Sequence, residues 1–202
     1  MTSEKQDDVR ECAERALNDE GLLLELIDNL SGASRRLRQT SATALALVAK
    51  EKPDLLAGHV GAFVDALNRP EAQTRWECLD ILTTMVDKDS RTCDKAAIGA
   101  ETALFDEESG PLRLAAMRFL CKLGATTENR SERLWPYIDE GIQCCHGDLE
   151  FPEMLTAVFD FAGGKLSKPV RKALAARMGF DAENSKGSLK RRAQQIIERA
   201  SR

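Results

Sequence analysis

The chain has 202 residues, 43% of them hydrophobic and 31% charged, and a formal net charge of −4. That apolar fraction supports a buried core and excludes disorder along the whole chain, which needs fewer aliphatics. Thirteen glycines and six prolines exclude collagen-like or proline-rich material. No run approaches the roughly 18–20 apolar residues of a membrane span, and the polar start MTSEKQDDVRE does not read as a secretory signal.

In chain order, the first predicted element is a helix over 4–18 with Val9, Cys12, Ala13 and Ala16 on one side, placed as an N-terminal cap. Leu22, Leu23, Leu26, Ile27 and Leu30 mark a second helix. Ser41, Ala44, Leu45 and Val48, at i, i+3, i+4 and i+7, mark the buried stripe of its partner. A step of 37 carries the first set onto His59, Val60, Phe63, Val64 and Leu67, and the second onto Cys78, Ile81, Leu82 and Met85. In a third pair, Ala97, Ile98 and Phe105 keep the first-helix pattern and Ala116, Phe119, Leu120 and Leu123 form the second. The fourth pair reads Trp135, Ile138, Ile142 and Cys145, then Met154, Ala157, Val158 and Phe161. The fifth opens over Lys168–Met178, with Ser167 as N-cap and Pro169 in the first turn. It closes on Ala193, Ile196, Ile197 and Ala200.

Successive second-helix stripes are 37, 38, 38 and 39 residues apart, which is an internal repeat. The expected organisation is one domain: a cap over 1–18, repeats over 19–55, 56–92, 93–130 and 131–164, and a basic, degenerate repeat over 165–202. Pro53, Pro70, Pro111, Pro136, Pro152 and Pro169 are all assigned to helix ends or first turns. Gly32, Gly110 and Gly147 fall in turns inside units, and Gly124, Gly163 and Gly164 follow second helices. No alternating segment of useful length appears, so the chain is expected to be all-α, with about 10–11 helices.

An Arg entering each second helix precedes its stripe, in Leu37-Arg38, Thr74-Arg75 and Leu112-Arg113. The helices that follow read ATALALVAK, CLDILTTMV and AMRFLCKLG. In these features the chain resembles the HEAT-repeat and armadillo-like superfamily. The resemblance is good over 19–162 and weaker beyond. Phe151 stands where the fourth repeat would have its Arg. The acidic residue expected ahead of that Arg is only approximated, by Glu71 and Glu108. The resemblance implies a right-handed α-solenoid of helical hairpins whose second helices line a concave face. It also implies a role as a scaffold for other proteins; some related proteins grip nucleic acid.

On that arrangement Thr43, Asp80, Arg118 and Thr156 form one ladder beside the buried stripe, and Leu47, Thr84, Lys122 and Asp160 another. Asp80–Arg118 and Lys122–Asp160 bridges are expected between neighbouring rungs, either as solvated surface pairs or as a charged groove that reads a partner. Trp76 is either an exposed hot spot or packed between helices. Trp135 is assigned to packing. The expected partner-binding residues are Trp76, Asp80, Arg118 and Lys122.

Nothing suggests catalysis. His59 and His146 lack catalytic neighbours, and no GxSxG, P-loop or GxGxxG is present. The constellation of HEAT-like DNA glycosylases has no match. Six cysteines without metal-ligand spacing point to a reduced, cytoplasmic protein, with Cys12, Cys78 and Cys121 as small apolar residues. Cys144, Cys145 and His146 are consecutive on a helix and so diverge by about 100° each; no metal or other cofactor is assigned.

Residues 163–202 hold 11 basic and three acidic side chains, while residues 1–162 hold 18 and 30. The basic end is a polar terminal cap, a binder of phosphate-rich material, or a partner for the acidic body. Lys172, Lys190, Arg191 and Arg192 are the expected anion or nucleic-acid contacts, although only Phe180 interleaves them and the pI is 5.4. The expected function is a non-catalytic protein–protein scaffold, monomeric or weakly self-associating and not membrane-bound. Nucleic-acid binding through the C-terminal pair is the alternative.

Overall fold

A computed structural model describes residues 3–202. Among these residues there are eleven α-helices and no strand. The chain divides into two compact units, the first ending at Ala100 and the second running from Glu101 to Arg202.

The first unit contains α1 (Ser3–Ala16), α2 (Glu20–Asn29), α3 (Arg35–Glu51), α4 (Val60–Ala66) and α5 (Ala72–Cys93). α1 packs on α2 and α3, as an N-terminal cap should, and ends at Ala16 rather than residue 18. Helix starts follow local chemistry. Asp19 Oδ1 accepts the Leu22 N–H at 3.0 Å, and Ser34 Oγ accepts that of Leu37 at 3.4 Å. α5 is interrupted at Asp89 (φ −142°, ψ 67°), whose carboxylate accepts the Thr92 N–H at 3.0 Å and so caps a new turn. Hydrogen bonds from the Thr92 side chain first, and then from its N–H, hold the Asp89 carboxyl below its usual range. α3 lies against α2 and α5, and α4 against α5.

In the next stretch of chain α6 (Ala97–Leu104) leads to the helices of the second unit: α7 (Gly110–Gly124), α8 (Glu128–Cys144), α9 (Phe151–Ala162), α10 (Lys168–Asn184) and α11 (Gly187–Ala200). Ser109, Thr127 and Ser167 cap α7, α8 and α10 through their side-chain oxygens. Ser167 also donates its own N–H to Ser131 Oγ at 3.1 Å, which ties the start of α10 to α8 with both residues buried. α9 packs against α7 on one side and α11 on the other. Gly147, with φ 104°, makes the turn from α8 toward α9 in a conformation other residues rarely adopt.

The second-helix stripes form the core of each unit. Every stripe residue is buried except Ala157 and Ile197, which are half-buried. Phe63, Phe119 and Phe161 are the bulkiest fully buried side chains.

Arginines at the starts of second helices join one hairpin to the next. Arg38 is buried; its Nη1 donates to the carbonyls of Gly32 (2.7 Å) and Ala33 (3.0 Å), while Nε and Nη2 fork onto the Glu71 carboxylate of the following hairpin. Glu71 thus fills the acidic role that it only approximated in sequence. Arg113 repeats the arrangement, with Nη1 on the Asp106 carbonyl (2.8 Å) and Nη2 on Asp148 (2.7 Å). Arg171 lays its guanidinium on the carbonyls of Gly164 (2.9 Å), Ala162 and Ala200 (3.4 Å each), at the negative ends of α9 and α11.

Three sequence expectations need correction. Pro136 lies inside α8, because Thr127 starts that helix well upstream; the missing N–H removes one intrahelical bond there. Gly110 is the first residue of α7, following the Ser109 cap, and not part of a turn. Ile98 is 77% exposed, and the inward face around α6 is made by Ala96, Ala100, Ala103 and Leu104.

Two stability measurements follow. The Arg38 fork holds the Glu71 carboxyl below its usual value, so this pair stabilises the fold above about pH 4.3 and loses that contribution as pH falls through the lowered pKa. Glu71→Gln should therefore melt well below wild type at pH 7, and the gap should narrow toward pH 3. Thr74 is fully buried on α5 with no partner for its hydroxyl. Thr74→Val should raise stability by about 1 kcal/mol in denaturant titration, since it removes an unpaired polar atom.

Candidate partner-binding surfaces

In the first unit, Gln73, Trp76, Glu77 and Asp80 fall at i, i+3, i+4 and i+7 on α5, next to the buried stripe. All four are half-buried. Thr43 of α3 meets this row: its hydroxyl lies 3.0 Å from Glu77 Oε1 and accepts from Gln73 Nε2 at 3.0 Å. Burial is the main force raising the Glu77 pKa, and the Asp80 charge adds to it. Bonds from Thr43 and the Trp76 side chain oppose the rise. Trp76 is thus held at the rim of a polar cluster, neither fully exposed nor lost in the core. The cluster gathers an indole, an amide and two carboxylates at the half-buried edge of α5.

In the second unit, Arg118 and Lys122 stand one turn apart on α7, both half-buried. Arg118 forks toward Glu153 on α9, a carboxylate 35 residues downstream. Spacings of this size recur within the second unit, in Arg113–Asp148 (35), His146–Asp181 (35) and Arg177–Asp139 (38), so lateral polar contacts carry the repeat as clearly as the core does. Trp135 stacks on Phe161 with ring centroids 6.3 Å apart, in the packing role expected of it. Cys78 and Cys121 are buried, and burial pushes both thiols up, out of reach of ionisation. Cys144 faces solvent, Cys145 is buried, and His146 Nε2 lies 3.2 Å from the buried Asp181.

The basic C-terminal pair is sorted by the fold. Arg177 is paired with Asp139 at 2.5 and 2.8 Å, and Lys190 donates to the Glu183 carbonyl at 3.1 Å. Lys172 is exposed on α10. Arg191 and Arg192 line a groove of about 460 Å³ between α9 and α11, whose floor includes Phe151, Leu155 and Leu189. A second groove, of about 520 Å³, continues along α11 past Phe159, Arg199 and Arg202. Arg192 and Arg199 both lie over the Phe159 ring, at 5.2 and 4.3 Å from its centroid. Of the four expected anion contacts, Arg191 and Arg192 line the first groove, Lys190 is bonded to a carbonyl and Lys172 stands exposed on α10. Phe159 is the aromatic partner that sequence reading missed; a repeat step of 39 sets it opposite Glu198, beside Arg199.

No protein-family model matches the sequence, and no curated protein matches it. Solved structures do. A designed armadillo repeat protein in complex with the peptide (KR)4 aligns with a TM-score of 0.74 at 13% identity, covering 96% of this chain and 92% of that one. Computationally designed armadillo repeat proteins for modular peptide recognition align at 0.70, with 14% identity and 98% and 94% coverage. The archaeal HEAT-like repeats protein from Thermococcus onnurineus NA1 aligns at 0.58, with 14% identity and 96% and 92% coverage. At these identities the likeness is one of fold. The chain has the all-α solenoid fold of armadillo and HEAT-like repeats, and among the described residues no helix is long and apolar enough to cross a membrane.

The raised Glu77 pKa has a measurable consequence. The folded chain disfavours the Glu77 carboxylate, so its contribution to stability is full below about pH 4.3 and declines as pH rises through the raised value. Glu77→Gln should equal or exceed wild type in melting temperature at pH 7, with the difference shrinking on acidification to pH 4.

Proposed function

We propose that the protein is a non-catalytic scaffold or adaptor that binds a partner protein through the polar face of its second helices. The observation that carries this reading is the row on α5. Trp76, Glu77 and Asp80 stand half-buried beside a fully apolar stripe, joined to Thr43 of the preceding second helix. Their polar and aromatic atoms are held in place without being consumed by the core, as a recognition surface requires. Designed armadillo proteins of similar fold, one of them in complex with the peptide (KR)4, support peptide or protein binding by such a fold.

Two patches take part in this reading, Trp76 with Asp80 on α5 and Arg118 with Lys122 on α7, each testable alone. The organisation behind it is the cap over 1–18 followed by hairpin repeats, without a cofactor. A reducing cytoplasmic setting belongs to the same reading, supported by the buried, unbridged thiols of Cys78, Cys93, Cys121 and Cys145.

Affinity purification from the native cell, read by mass spectrometry, tests the proposal. A specific partner should be retained by wild type and lost with Asp80→Lys or Arg118→Glu at unchanged melting temperature. Recovery of the same proteins by both charge reversals would refute it. Trp76→Ala should weaken that partner's binding about tenfold or more, in the range of hot-spot truncations, while the melting temperature stays near wild type. A large fall in melting temperature would instead assign the indole to the core.

A further inference from the structure

We propose that the groove between α9 and α11 is a docking site for an extended acidic peptide of a partner protein. Its carboxylates are held by Arg192 and Arg199, and an apolar side chain seats against Leu155 and Leu189. The inference rests on the scaffold reading and names the chemistry of one partner segment.

The fold takes up some of the C-terminal charges and leaves others available. Of the C-terminal cations, Arg171 sits on helix-end carbonyls, Arg177 on Asp139, Lys190 on a carbonyl and Arg202 on Glu198. Among the described residues, Arg192 and Arg199 have no carboxylate partner; they have the Phe159 ring. A guanidinium held over a ring by cation–π attraction spends none of its N–H donors on the ring, and those donors match a carboxylate in two parallel hydrogen bonds. Two like charges held over one ring also repel each other, and an anionic ligand relieves that repulsion. Gly163 leaves the room this requires, because a side chain there would strike the Arg199 guanidinium.

The spacing suits an extended chain. Side chains on one face of such a peptide recur every second residue, roughly 7 Å apart, so successive carboxylates can address two guanidiniums that share the Phe159 ring. The adjoining groove of about 460 Å³ has an apolar floor with Arg191 and Arg192 at its margin, and the Asp148 carboxylate that also lines it is paired with Arg113; it has room for one large aliphatic side chain. A phosphodiester chain carries no aliphatic side chain to seat against Leu155 and Leu189. The Phe159 face, already covered by guanidinium, offers no platform for a base. These two points favour a peptide over nucleic acid.

Fluorescence anisotropy on the full chain tests this with three labelled probes: a decapeptide with one leucine and three glutamates at alternate positions, the same peptide with lysine for glutamate, and a twelve-residue oligouridine. The glutamate peptide should bind, more weakly as salt rises, and the lysine peptide should not. Arg192→Ala with Arg199→Ala should cost tenfold or more in affinity at unchanged melting temperature. Arg192→Glu with Arg199→Glu should transfer preference to the lysine peptide, a gain that misfolding cannot produce. Failure of the glutamate peptide to bind, or equal binding by the alanine variant, overturns the proposal. So does tighter, arginine-dependent binding of oligouridine, which would assign the groove to nucleic acid. A native partner that is captured equally by wild type and the alanine variant would sink this site while leaving the scaffold reading intact. Peptide binding with no native partner captured would count against the scaffold reading alone.

Discussion

Every helical hairpin in this chain carries an apolar face that it cannot bury by itself. The stripe on α3 or α9 is covered only when the next second helix lies alongside it, and that lateral packing is the condition for the rest of the structure. Arg38 and Arg113 reinforce it at one point per junction. Each guanidinium satisfies carbonyls of its own hairpin turn and then reaches a carboxylate belonging to the next hairpin. A buried arginine is tolerated only because nearly all its donors find acceptors; without Glu71, Arg38 would be a charge stranded in the core.

The same packing determines what remains for function. Positions facing inward are taken by Leu, Ala, Ile, Met and Phe, and positions one step around, such as Thr43, Asp80, Arg118 and Lys122, are left half-buried. Where those positions hold polar groups, neighbours pull them into defined places: Glu77 between Thr43 and Trp76, Arg118 toward Glu153, Arg192 and Arg199 over Phe159. Side chains positioned in this way lose little entropy on binding, which suits a surface that reads a partner.

Much of the fold was legible because helix periodicity and repeat spacing are local properties. The stripes, the Ser167 cap and the N-terminal helix all follow from side chains within a few turns of one another. The errors have local causes too. Proline usually sits at a helix end, which is what the sequence suggests for Pro136, but the Thr127 cap starts α8 far upstream. Ile98 was assigned inward by apolarity, while the alanines around it make the closer packing face. The site was far less legible. Trp76 could be placed on the right row but not assigned a burial. Arg118 could be placed on a rung, but its Glu153 partner depends on how α7 and α9 are rotated about their axes.

The amino-acid order by itself determined the all-helical character, the hairpin repeat, the buried stripes and the contrast between an acidic body and a basic end, since each depends on residue type and spacing along the chain. A net charge of −4 concealed that contrast. Only the tertiary structure decided which cations are consumed and which are left to act. Arg171 and Arg177 are spent on carbonyls and Asp139, whereas Arg192 and Arg199 are presented over Phe159 from a different helix. Charge is a property of a residue. Its availability depends on what the packing of other helices brings within a few ångströms, and that is set across repeats rather than along them.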